Sequence, residues 1–214
     1  SFATHEGQKL LENFLQMSPE AHDALRKQGV RAPEDHAQDV PLPGPLSELV
    51  ETTDQHAFEY VPFPCSLRPE QVYERLHAVS DNCYCFESLD ANGGERVGRY
   101  SYFGLEPEFV LSACNNEFYL DDDQIDIGDL SAFDALNATV EQMRALSETG
   151  DNVPDDLRLT GGFVGGMSYE AIQYRESKVH AVTPPKEKTF SYGYYSDGLV
   201  YDNQEKRFFY YTRG

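Results

Sequence analysis

The chain has 214 residues, 37 acidic against 17 basic side chains for a formal charge of −20, and a 40 % hydrophobic content that includes 14 Tyr and 13 Phe. This length holds one large domain, or a domain and a half, with a sizeable core. The charge disfavours nucleic acid and anionic membranes as partners, and no apolar run approaches the ~20 residues that span a bilayer. The opening stretch SFATHEGQKLLENFLQ is too polar for a secretory signal, so a soluble, cytoplasmic protein is expected. The acidity fits either a high-salt proteome or a fragment that has lost basic partner segments, and neither reading bears on catalysis.

Residues 4–29 read as helical. Leu10, Leu11, Phe14, Leu15 and Met17 recur at helical spacing, Ser18-Pro19-Glu20 opens a second helix with Ala21, Ala24 and Leu25 on one face, and Gly29 ends it. Residues 31–45 contain four prolines and little periodicity, and read as an extended connector. The expected organisation is therefore a helical segment with a Pro-rich connector over 1–45 and an α+β domain over 46–214. Residues 58–62 alternate like a strand. Residues 66–70 open a helix whose buried face is Val72, Leu76 and Val79. Residues 82–88 are apolar and β-prone, and are expected to form a central strand. Strands are expected at 99–103 and 108–113, the latter turning at Asn115-Asn116 into a hairpin with 117–120. Phe133, Leu136, Val140, Met143 and Leu146 fit a 3.6-residue period and predict a helix over 133–146. Strands at 190–195, 198–202 and 207–212 complete an α+β pattern with mostly antiparallel pairing and packed helices. An aromatic strand so near the last residue reads as the interior of a larger sheet, and the chain as a fragment of a longer protein.

The richest stretch runs from Cys85 to Pro107. Glu87 and Ser88 end an apolar run, a polar glycine-containing turn follows, and Arg99 opens the next strand. If the two strands pair, an acid, a hydroxyl and a guanidinium can face one small space, a set that suits an amino-acid ligand: carboxylate and hydroxyl for the ammonium, arginine for the carboxylate. The alternative is a cross-strand ion pair between Glu87 and Arg99, with Ser88 satisfying backbone groups. The cluster GGFVGG at 161–166 matches neither GxGxxG nor GxxxxGK[ST], and reads as a strand that needs a bulge or close backbone approach. His77 reads as a surface or boundary residue, Asp121-Asp122-Asp123 as a solvated loop with a divalent cation as the alternative, and Cys65, Cys83, Cys85 and Cys114 as small core residues with a metal site as the alternative.

FESLDANGGERVGRYSYFGLEP, GGFVGGMSYEAIQY and FSYGYYSDGLVYDNQEKRFFYY, in that order, resemble the N-terminal region of anthranilate synthase component I over about residues 56–212. The last two stretches are shared with other chorismate-using enzymes, including para-aminobenzoate synthase component I. The resemblance implies an enzyme that converts chorismate and ammonia to anthranilate with Mg2+, the ammonia coming from a glutamine amidotransferase subunit. It implies an L-tryptophan feedback site at Glu87, Ser88 and Arg99, with Phe86 where the family usually has leucine. It also places the chorismate and Mg2+ ligands in a C-terminal half beyond this chain, so the fragment alone is expected to be inactive, and to expose apolar surface where that half docks, with some self-association. An aminodeoxychorismate-forming relative and a free-standing amino-acid-binding module are the rival readings.

Overall fold

The computed structural model describes residues 40–53, 58–87, 98–146, 153–157, 159, 161–174 and 187–213. The chain divides into two units, Ser1–Asp39 and Val40–Gly214, and every described residue lies in the second. The helices expected over 4–29 lie outside the described residues.

The elements in chain order are α1 (Gly44–Thr52), β1 (Glu59–Phe63), α2 (Pro69–His77), β2 (Tyr84–Phe86), β3 (Tyr100–Gly104), β4 (Phe109–Cys114), β5 (Glu117–Leu120), β6 (Asp123–Ile125), α3 (Ala132–Leu146), β7 (Gly162–Met167), a 3-10 turn (Tyr169–Tyr174), β8 (Phe190–Tyr195), β9 (Gly198–Asp202) and β10 (Arg207–Thr212). The strands form two five-stranded sheets, β1-β10-β9-β3-β2 and β6-β5-β4-β8-β7, antiparallel throughout. This is the α+β class expected.

β3 pairs with β9 in the first sheet and β4 with β8 in the second. The chain therefore crosses from sheet to sheet twice, between β3 and β4 and between β8 and β9. The Glu108 N–H to Tyr194 carbonyl bond, at 2.8 Å, borders the second crossing point.

Three cores follow from strand alternation. The second sheet packs Phe109, Leu111, Phe118, Phe190 and Tyr194 against α1 and α3, which contribute Leu46, Val50, Ala132, Ala135, Leu136 and Met143. One face of the first sheet carries Tyr100, Val200, Phe209 and Tyr211, joined by Phe58, Tyr60 and Leu157. Its other face packs Phe103 and Phe208 against Val72 and Leu76 of α2.

Four expectations need correction. The end of the Pro-rich connector is the start of α1, because Pro43 is its cap and Pro45 sits in its first turn, where a missing N–H costs nothing. Val79 is 73 % exposed, since α2 ends at His77 and the turn that follows carries Val79 off the buried face. β2 is a three-residue edge strand, not a central one. Asp121, Asp122 and Asp123 are exposed, as expected of solvated acids, but the first two form a built turn rather than a loose loop: both have positive φ (50° and 74°), Asp121 accepts the Val110 N–H at 2.7 Å, Asp122 pairs with Lys188, and Asp123 begins β6.

The GGFVGG stretch is strand β7, where a Cβ on Gly165 would lie 2.0 Å from the Ser191 carbonyl oxygen. Its glycine is needed for close backbone approach. The Asn115-Asn116 hairpin forms as expected, with φ of 53° and 65°. Two positive φ values in succession match the right-handed strand twist, and Asn tolerates them. Asn116 also accepts the Ala132 N–H at 2.9 Å and so caps α3, beside a reciprocal Ser131–Asp134 pair. Asn116→Ala is expected to cost about 1 kcal/mol in urea denaturation, the usual worth of a cap.

Candidate functional site

β2 and β3 pair with Phe86 opposite Tyr102, which brings Glu87 beside Ser101. Glu87 is exposed, and the buried Ser101 hydroxyl donates to its Oε1 at 3.5 Å. Asn203 approaches the same hydroxyl, with Nδ2 at 3.4 Å. Alternation puts Ser101 with Phe103 on the α2 face of the sheet, and Tyr100 on the opposite face. Ser88 and the polar turn after it lie outside the described residues.

Arg99, at the foot of β3, is held elsewhere. Its Nε and Nη2 donate to Asp202 Oδ2 at 3.0 and 2.9 Å, and its Nη1 donates to Asp156 Oδ2 at 2.9 Å. Glu205 Oε1 is 3.9 Å from Nη2. The guanidinium lies 4.9 Å from the Tyr100 ring centroid. The ion partners of Arg99 are thus Asp202, Asp156 and Glu205, and the cross-strand pair with Glu87 is not formed.

The two aspartates differ in kind. Asp202 is only 2 % exposed, and its Oδ1 accepts the backbone N–H groups of Gln204 and Glu205 at 2.7 and 3.0 Å, building the turn between β9 and β10. Burial pushes its carboxyl upward, but those two N–H groups and Arg99 outweigh burial and hold it below the usual aspartate range. Asp156 is 54 % exposed and receives the Tyr100 hydroxyl on Oδ1 at 2.9 Å. That hydroxyl, then Arg99, lowers its carboxyl as well. Burial first, then the bond to Asp156, raises the Tyr100 phenol, while the bonds Arg99 donates to Asp202 and Asp156 raise its guanidinium.

Sequence reasoning found Glu87 and Arg99 but missed Asp202, Tyr100 and Asp156. Asp202 was legible as the end of a strand and Asn203-Gln204-Glu205 as the turn after it, which is half of what they do. The Asn203 N–H holds the Arg99 carbonyl at 2.7 Å, and its Nδ2 holds that of Gly98 at 3.1 Å.

Among the described residues no group of three or more His, Cys, Asp or Glu side chains is arranged to hold a metal ion. The acids around Arg99 are its ion partners, and Glu205 also pairs with Arg207. All four cysteines are half-buried, with Cys65 and Cys85 packed in the α2 core.

No family model matches the chain. Curated relatives do. Anthranilate synthase component 1 of Leptospira biflexa is 26 % identical over 147 residues, covering 67 % of this chain and 28 % of the relative. Anthranilate synthase component 1 of Pseudomonas aeruginosa is 32 % identical over 117 residues, covering 55 % and 23 %. That of Synechocystis is 31 % identical over 110 residues, covering 50 % and 21 %. This chain is similar to anthranilate synthase component 1. It spans about a quarter of the length of the curated relatives it matches. A crystal structure of anthranilate synthase component I from Streptococcus pneumoniae TIGR4 aligns with a TM-score of 0.39 at 18 % identity, covering 70 % of this chain and 30 % of that one. The fold assignment rests on the strand pairing described above and not on that superposition.

Proposed function

We propose that this chain is the N-terminal, regulatory part of an anthranilate synthase component I. The parent enzyme converts chorismate and ammonia, supplied by a glutamine amidotransferase subunit, to anthranilate. The observation that carries the reading is the match to anthranilate synthase component 1 from several organisms, each over about a quarter of its length. Those relatives favour anthranilate over aminodeoxychorismate as the product.

In this reading L-tryptophan inhibits by binding at Glu87, Ser88 and Arg99. Its ammonium lies by Glu87 and Ser88, and its carboxylate takes guanidinium N–H groups of Arg99. Inhibition follows if tryptophan favours a conformation in which the catalytic part cannot close. In this reading chorismate and metal chemistry belong to the remainder of the enzyme, and the 214 residues alone form no anthranilate.

The test is an anthranilate assay on the whole synthase, with and without tryptophan. Ser88→Ala and Arg99→Ala are each expected to raise the half-inhibiting tryptophan concentration by about tenfold or more, equivalent to a lost charge-assisted hydrogen bond. An inhibited-to-uninhibited rate ratio that stays at its original value in both variants overturns the reading.

A further inference from the structure

Two carboxylates meet Arg99, and they are not equivalent. Asp202 is sealed in the sheet and committed on both oxygens, to the guanidinium and to two backbone N–H groups. It fixes the plane of the guanidinium. Asp156 comes from a different place, the short segment 153–157, and more than half of its side chain is in solvent. Each of its oxygens takes one donor at 2.9 Å, Arg99 Nη1 on Oδ2 and the Tyr100 hydroxyl on Oδ1. A guanidinium N–H and a hydroxyl, one per oxygen, form a two-point receptor for a free carboxylate. The receptor is present in this chain, and a side chain of the chain fills it.

We infer that Asp156 is a built-in competitor: its carboxylate occupies the Arg99–Tyr100 receptor, and the carboxylate of an amino-acid ligand binds there by displacing it. This rests on the reading that Arg99 receives the ligand's carboxylate, and adds how that site is regulated.

Three features make Asp156 the group that yields. Its exposure lets water take over its hydrogen bonds when it leaves, whereas removing Asp202 would strand backbone donors inside the protein. Arg99 stays oriented without it, because Nε and Nη2 remain on Asp202. The segment that carries it is seated by Leu157 and Val153 against the Tyr60, Tyr100, Val200 and Tyr211 core, so the competing carboxylate is held close to the receptor at all times. A tethered competitor lowers apparent affinity by the fraction of chains in which the site is open. It also couples site to strap, since a bound ligand removes the side-chain hydrogen bonds by which Asp156 ties 153–157 to β3 and its approach.

The experiment is calorimetric titration of the whole synthase and its variants with L-tryptophan and with indole-3-propionate, which keeps the carboxylate and lacks the ammonium. Asp156→Asn and Asp156→Ala are expected to bind both compounds at least about fivefold more tightly than the unaltered synthase, an open-fraction effect. Asp155→Asn, an equal change in charge on the adjacent residue, is expected to leave both affinities unchanged. Thermal melts identify any variant that fails to fold, and two different substitutions at one position keep the comparison available. Equal affinities in the unaltered synthase and both Asp156 variants overturn the competitor and leave the tryptophan site standing. So does an equal gain in Asp155→Asn, which reduces the effect to net charge. Tighter indole-3-propionate binding in the Asp156 variants with no tryptophan binding at all supports the competitor and removes tryptophan as the ligand. No binding of either compound to any variant overturns it.

Discussion

Gly198→Ala is expected to destabilise the fold by about 3 kcal/mol, near the upper end for overpacking. The reason is a row across the first sheet. Tyr84 on β2 stands opposite Gly104 on β3, and Gly198 on β9 opposite Tyr211 on β10. The β3–β9 register sets the two glycines next to each other. With no side chains between them, the tyrosines reach across and meet, hydroxyl to hydroxyl, at 3.0 Å. Tyr195 closes the row from the other sheet, its ring edge-on to Tyr84 at 4.9 Å. Burial raises both phenols, that of Tyr84 to about 12, so the pair is neutral in the working range. A Cβ on Gly198 would lie 2.4 Å from the Phe103 carbonyl oxygen and 2.6 Å from the Tyr211 hydroxyl. The first is backbone in the adjacent strand and cannot swing aside. The second cannot move without leaving Tyr84 with a buried, unpaired hydroxyl. Urea denaturation followed by tyrosine emission checks this, since the chain has no Trp. A loss below about 0.5 kcal/mol, the range of ordinary surface changes, would show that the glycine row is not a packing requirement.

That row is also a measure of what a single sequence can say. β8, β9 and β10 were legible to the residue, because aromatic alternation and the turn chemistry of Asn203-Gln204-Glu205 are local signals. The Asn115-Asn116 hairpin was legible because the residue type answers to the backbone angle. β6 was not: three acids in succession look like a loop, and only the capture of Asp121 by the Val110 N–H makes them a turn into an edge strand. The apolar run at 82–88 looked central because composition reports burial propensity and not the number of neighbours; β2 has one. The candidate site divides the same way. Glu87 and Arg99 were legible as charges flanking one turn. Asp156 and Asp202 lie 57 and 103 residues from Arg99, and both arrive by long-range contacts: Asp202 through the β3–β9 register, Asp156 through the seating of Val153 and Leu157 on the sheet. Local pattern suggested a clamp; long-range contacts supplied the acids that meet Arg99.

Asp202→Ala is the second substitution with a large expected effect, about 3 kcal/mol, the usual cost of breaking a buried, hydrogen-bonded ion pair from one side. It removes the acceptor for the Gln204 and Glu205 N–H groups and for two donors of Arg99 at once. The pH dependence has a definite sign. Asp202 and Asp156 are both lowered in the folded state. Their contribution is therefore complete above the unfolded aspartate value of about 3.9, and is lost as pH falls through their lower native values. Urea midpoints taken from about pH 6 downward should fall on this acid limb in the unaltered chain, and fall less steeply in Asp202→Ala, which has already lost the larger part. A cost below about 1 kcal/mol, or an unchanged acid limb, would show that the Arg99 network does not stabilise the sheet. The comparison with Asp156 then separates two roles that one arginine combines. Losing Asp202 frees the guanidinium to turn, so stability and carboxylate binding are expected to fall together. Losing Asp156 leaves the guanidinium aimed and the receptor open, so the fold is expected to persist and binding to rise. Opposite signs from two aspartates on the same arginine are what a held and self-occupied ligand site predicts, and a purely structural ion pair predicts losses from both.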